Sequence, residues 1–165
     1  MKPLFDVSLR WFDDGTLLVE EPRQILEQFL LSLGVSAPVA ADVLEVFVLA
    51  RKADRALSLR AVMEGVAEIR RRRGAVEGKG LGERNIQVWL KWYVEIGLLE
   101  KSGRLYRFYA NKLPADAFRE SVKPNAERAL AYVERAADKM QVAYGFEAGK
   151  SEPISSSDAA DVKFS

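Results

Sequence analysis

Apolar residues recur along this chain at two spacings, and the changes from one to the other divide it into elements. Phe5, Val7, Leu9 and Trp11 alternate with Asp6, Ser8 and Arg10, the period-two pattern of a half-buried strand. Asp13-Asp14-Gly15 predicts a hairpin loop: with Gly15 in the left-handed conformation, Trp11 faces Leu17 and Leu9 faces Val19, so both strands turn their apolar residues to one side. The spacing then becomes helical. Pro22 suits a first turn, Ile25, Leu26, Phe29, Leu30 and Leu33 share a face, and Gly34 stops the run. Ser36 is placed to cap a second helix, whose Val39, Val43, Leu44, Val46, Phe47, Val48 and Leu49 leave little polar face; that predicts a central position. Asp54 and Ser58 precede a third helix with Leu59, Val62, Met63, Val66 and Ile69 inward, running into Arg70, Arg71, Arg72 and Arg73.

A glycine-bearing stretch from Gly74 to Gly82 leads into a fourth helix. Ile86, Trp89, Leu90, Tyr93, Val94 and Ile96 form its apolar side, against Arg84, Gln87, Lys91 and Glu95. Gly97 supplies the left-handed residue that ends it. Leu98-Leu99-Glu100-Lys101 and Arg104-Leu105-Tyr106-Arg107-Phe108-Tyr109 then read as two strands about a Ser102-Gly103 turn. After Pro114 the pattern lengthens. Val122, Ala126, Ala129, Val133, Ala136, Met140 and Ala143 follow alternating steps of four and three, a heptad seam suited to pairing with another helix or to packing back on its own domain. Pro124 is tolerated only in a first turn, so the coil begins or kinks there. From Gly145 onward Gly, Ser and acidic residues dominate, and the segment reads as a disordered tail.

The fold class expected is therefore α+β: a small winged-helix-like domain of four helices and two antiparallel hairpins over residues 4–112, a coiled-coil-type dimerisation helix over 113–145, and a tail over 146–165. Charge gives the arrangement a direction. The net charge is +1, yet residues 1–50 hold 3 basic and 8 acidic side chains, residues 51–112 hold 15 and 7, and residues 113–165 hold 7 and 9. A bound polyanion senses charge within about 10 Å at 0.1 M salt, so the basic middle predicts a nucleic-acid partner whatever the total. Cysteine and histidine are absent, which removes thiolate and imidazole metal sites and the common nucleophile–base pairs; no enzyme, metal or cofactor is expected. No apolar run approaches the ~18 residues of a membrane span, so the expectation is a cytoplasmic protein with no membrane partner.

Particular residues sharpen the expectation. Arg70 to Arg73 complement a helix C-terminus electrostatically, but consecutive residues point all round a helix, so with Lys79 and Arg84 they form a candidate phosphate rim. Trp92 lies toward the polar side of its helix, free to stack on a base or to pack beneath the C-terminal helix. On the last strand Arg104, Tyr106 and Phe108 share one face, while Leu105, Arg107 and Tyr109 share the other; one set packs inward and leaves the rest for binding. Lys91 completes the nucleic-acid set. The glycines around GKGLG lack the spacing of a phosphate loop, and Asp13-Asp14 is a turn rather than a catalytic pair.

The stretch WLKWYVEIGLLEKSGRLYRFY, within Leu59 to Tyr109, resembles the second helix, recognition helix and wing of winged-helix DNA-binding domains. The layout of residues 4–145 is similar to that of the ThermoDBP family of archaeal, thermophile single-stranded-DNA-binding proteins. That resemblance implies a homodimer holding single-stranded DNA, with RNA as the open alternative, sequence-tolerantly in a hydrophobic cleft rimmed by basic residues. Its seam would be Val122, Ala126, Ala129, Val133, Ala136 and Met140. The runner-up is a winged-helix regulator reading duplex DNA with Asn85, Gln87 and Lys91; a third expectation is a protein-interaction module.

Overall fold

A computed structural model describes residues 1–74 and 82–148. It divides into two compact units, Met1–Arg128 and Ala129–Ser165. In the first, helix α1 covers Pro22–Ser32, α2 Pro38–Lys52, strand β1 Leu57–Ser58, α3 Leu59–Arg72, α4 Glu83–Ile96, β2 Leu99–Ser102, β3 Leu105–Phe108 and α5 Pro114–Ala117. Helix α6, Lys123–Ala143, begins in the first unit and supplies most of the described part of the second. The class is α+β: helices predominate, with one antiparallel sheet in the order β1-β3-β2. No helix among the described residues is long and apolar enough to cross a membrane.

The core forms where the apolar faces of α2, α3 and α4 meet. Val43 and Phe47 of α2, Val62 and Val66 of α3, and Ile86, Leu90 and Tyr93 of α4 are all buried, together with Leu98, Leu99 and Phe108 beneath the sheet. Two glycines make the close approaches feasible. At Gly65 in α3 an added Cβ would lie 2.8 Å from a methyl of Val46, so only a hydrogen lets α2 and α3 cross there. Gly97 has φ +91° and sits against Ser121, closing α4 through bonds from Gly97 and Leu98 amides to its last carbonyls. Ser58 caps α3 by accepting the Ala61 amide at 3.2 Å.

The β2–β3 hairpin lies where the sequence predicts it, with Lys101 opposite Tyr106 and Glu100 opposite Arg107. The expected N-terminal hairpin is absent; of the two predicted hairpins, one forms. Asp13 accepts the Gly15 amide through its side chain, and Asp14–Leu18 winds into a 3-10 turn instead of reversing the chain. Trp11 is left 97% exposed, with no apolar face to cover it. The sheet gains its third strand from Leu57 and Ser58, which pair with Tyr106 and Leu105. That strand is too short to show a period.

Pro124 has a visible effect on the C-terminal helix. It cannot donate to the fourth carbonyl before it, and the preceding turn, Phe118–Val122, is a π-helix that joins α5 to α6. Val122 is 1% exposed in the core of the first unit, so the heptad seam begins inside its own domain. In the second unit Val133 and Met140 are each 60% exposed. Lys79 and the tail beyond residue 148 lie outside the described residues.

Candidate nucleic-acid interface

Helix α4 buries Ile86, Leu90, Tyr93 and Ile96. Spacing by three and four then places Arg84, Gln87, Val88, Lys91 and Glu95 on the exposed side. Gln87 is held 3.3 Å from Glu83, and Glu95 meets Lys2 at 3.2 Å and Lys91 at 3.9 Å. Arg84 has no carboxylate partner among the described residues, nor have Lys101 near the end of β2 and Arg104 in the hairpin turn. Among the described residues Lys52 and Arg55 of the basic segment are likewise without a carboxylate, whereas Lys91 has Glu95.

The aromatic residues are less available. Trp92 is half-buried, edge-on to Trp89 at 5.8 Å and to Tyr93 at 5.1 Å, so it packs on the core from the margin of α4. On β3 it is Tyr106 and Phe108 that turn inward; Leu105, Arg107 and Tyr109 face outward. Lys101 lies over the Tyr106 ring at 5.4 Å, and Arg107 spends its Nε on Glu100 at 2.7 Å. Tyr109 remains exposed.

Comparisons with protein-family models, curated proteins and solved structures return no match. The site therefore has to be read from its own chemistry.

The arginine run divides in two. Arg71 and Arg72 are exposed and pair within α3 with Glu68. Arg70 and Arg73, one turn apart, reach back to α2: Arg70 Nε donates to Asp42 Oδ2 at 2.9 Å, and Arg73 Nη2 to Glu45 at 3.2 Å. Arg23 of α1 closes the system from the other side, donating to Asp42 Oδ1 at 2.8 Å, Glu45 Oε2 at 2.5 Å and Glu27 Oε1 at 2.8 Å. The side chains of Arg23 and Asp42 are 6% and 5% exposed. Burial alone lowers the pKa of Arg23, but hydrogen bonds to Glu27, Glu45 and Asp42 outweigh it and raise the value above that of a free guanidinium. Thus Arg70 and Arg73 tie three helices together, and Arg71 and Arg72 keep their guanidinium groups at the surface. The apolar run of α2 hides this network in the sequence. Its signal was available: acids at positions i and i+3 of an otherwise apolar helix, and arginines at i and i+3 of the next.

A second ring of polar contacts fixes the exit of β3. Arg51 Nε donates to the carbonyls of Asn111 and Lys112, and Asn111 Nδ2 to Asp54. Asp54, Ala110 and Asn111 all have positive φ, the costly conformation for a residue with a side chain. Along the predicted seam Ala126 and Ala129 are half-buried, while Val133, Ala136 and Met140 are exposed. Among the described residues no cluster of metal-binding side chains occurs.

Proposed function

We propose that the first unit is a winged-helix domain that binds duplex DNA, and that α6 pairs two copies. The observation that carries this reading is the order α2, β1, α3, α4, β2, β3, with β1 hydrogen-bonded to β3 at the open edge of the hairpin. In a winged helix α4 is the recognition helix and β2–β3 the wing. An α4 of 14 residues is about 21 Å long, enough to lie in a major groove, with Gln87 and Lys91 toward base edges. Arg84 at one end and Lys101 and Arg104 on the wing are the phosphate contacts. Duplex is favoured over single strands because Trp92 and Tyr106 are half-buried, which leaves Tyr109 exposed beside the wing but no row of rings on which successive bases could stack.

Selection from a random duplex library followed by footprinting tests the reading. A protected site with two-fold symmetry is expected from a dimer, and no enrichment would refute the proposal. If oligothymidine competes better than duplex at equal salt, the single-strand function implied by the ThermoDBP resemblance replaces it.

A further inference from the structure

The first unit contains a cleft of about 930 Å³ unrelated to the exposed side of α4. Its floor is made by Leu44 and Val48 of α2, Leu98 and Phe108 from the ends of the hairpin, and Phe29 and Phe118, which meet edge-on at 6.0 Å. Leu44, Leu98 and Phe108 are buried, whereas Ile25 and Leu49 at the mouth stay 44% and 48% exposed. A cavity of this size is at the upper end of what small-molecule sites occupy, and its lining is almost wholly hydrocarbon.

Five charged residues line it, the buried Arg23 with Arg10, Arg119, Lys123 and Glu45. Glu45 is neutralised between Arg23 and Arg73. Arg23 is saturated by three carboxylates, and Arg119 pairs with Asp116 at 3.3 Å. Arg10 and Lys123 have no side-chain partner among the described residues, and both are exposed. Arg10 is also held in place, because its amide donates to the Ser32 carbonyl at 2.8 Å and pins the N-terminal segment to the end of α1. Hydrocarbon below and uncompensated cations above match one ligand class.

We propose that this cleft binds an amphiphilic monoanion, a medium- to long-chain carboxylate whose chain lies between α1, α2 and α5 and whose head meets Arg10 and Lys123. Base edges would find few buried hydrogen-bond partners here. A neutral lipid would leave the two cations unused.

Displacement of the fluorescent fatty acid cis-parinarate from the full-length chain tests this, using saturated carboxylates of eight to fourteen carbons, the matching alcohols, and decyltrimethylammonium. The carboxylates should bind about fourfold tighter per added methylene, decanol at least tenfold more weakly than decanoate, and the ammonium more weakly still. Arg10→Glu with Lys123→Glu should cost decanoate at least tenfold and leave decanol unchanged. Ala115→Trp, at an exposed position on the cleft wall, should block uptake; Leu49→Glu serves if that variant does not fold. Absence of saturable binding, equal affinity for alcohol and carboxylate, or indifference to both blocking variants overturns the proposal. So does an oligomer that dissociates on Ala115→Trp without ligand uptake in the parent, since a second copy would then fill the cleft.

Discussion

Asp42→Asn keeps the volume of the side chain and removes its charge, so it isolates the electrostatic part of the three-helix network. Both carboxylate oxygens are occupied, Oδ1 by Arg23 at 2.8 Å and Oδ2 by Arg70 at 2.9 Å. An amide can accept from one guanidinium, but its NH₂ then faces the other, donor against donor. Arg23 keeps Glu27 and Glu45, so the charge left behind is not bare. Breaking a buried pair by removing one partner costs roughly 3–5 kcal/mol, and the two remaining acids place the expectation at about 3 kcal/mol. That is a large share of the ~5–15 kcal/mol typical of a domain, and should lower the melting temperature by about 10 °C. Glu45→Gln, at a side chain 23% exposed, should cost about half as much. Urea unfolding followed by circular dichroism measures both. In Asp42→Asn/Arg70→Met the donor that faces the amide is gone, and part of the loss should return as a coupling energy. A loss below 1 kcal/mol for Asp42→Asn, or strict additivity in the double variant, would mean that the network is only a solvated set of charges.

Other outcomes follow from single residues. Tyr93 is fully buried with its hydroxyl donating to the Ala40 carbonyl at 2.7 Å, and burial pushes its pKa well above the ordinary 10. The folded state thus holds a proton that the unfolded state releases; stability is full below pH 10 and falls by about 1.4 kcal/mol per unit above it, which alkaline melts of wild type against Tyr93→Phe will show or refute. Ala110→Gly should stabilise by about 0.5–1 kcal/mol, because relief at φ +49° exceeds the added unfolded-state entropy; destabilisation would contradict that conformation. Val133→Asp with Met140→Asp should convert a dimer to monomers by light scattering, and a dimeric mass would remove α6 as the pairing element.

The extent to which the fold was legible follows from which signals are local. Ser58 acts through a hydroxyl three residues from the amide it caps, and Gly97, Pro114 and Pro124 through their own backbone, so these signals are local and the elements lie where they put them. The N-terminal alternation was misleading because period two specifies a strand only when a partner edge and a covering layer exist, and the Asp13 side chain offered the chain a tighter local turn. The arginine run was ambiguous for the opposite reason: the acids that engage Arg70 and Arg73 lie 28 residues upstream, on a helix whose apolar run concealed them. Val122 fits both the heptad and the core, and only the packing of the π turn decides between them. The aliphatic cleft has no sequence pattern at all, since its lining comes from α1, α2, α5 and the hairpin ends together.

Fluorescence anisotropy with labelled duplex and oligothymidine, titrated across a salt series, tests the winged-helix reading most directly. Duplex should bind more tightly than oligothymidine at every salt concentration. Log affinity should fall with log salt by about 0.9 per phosphate contacted, and Arg84→Ala, Lys101→Ala and Arg104→Ala should each flatten that slope by about one contact. No binding at low salt, or a slope untouched by all three substitutions, would contradict it.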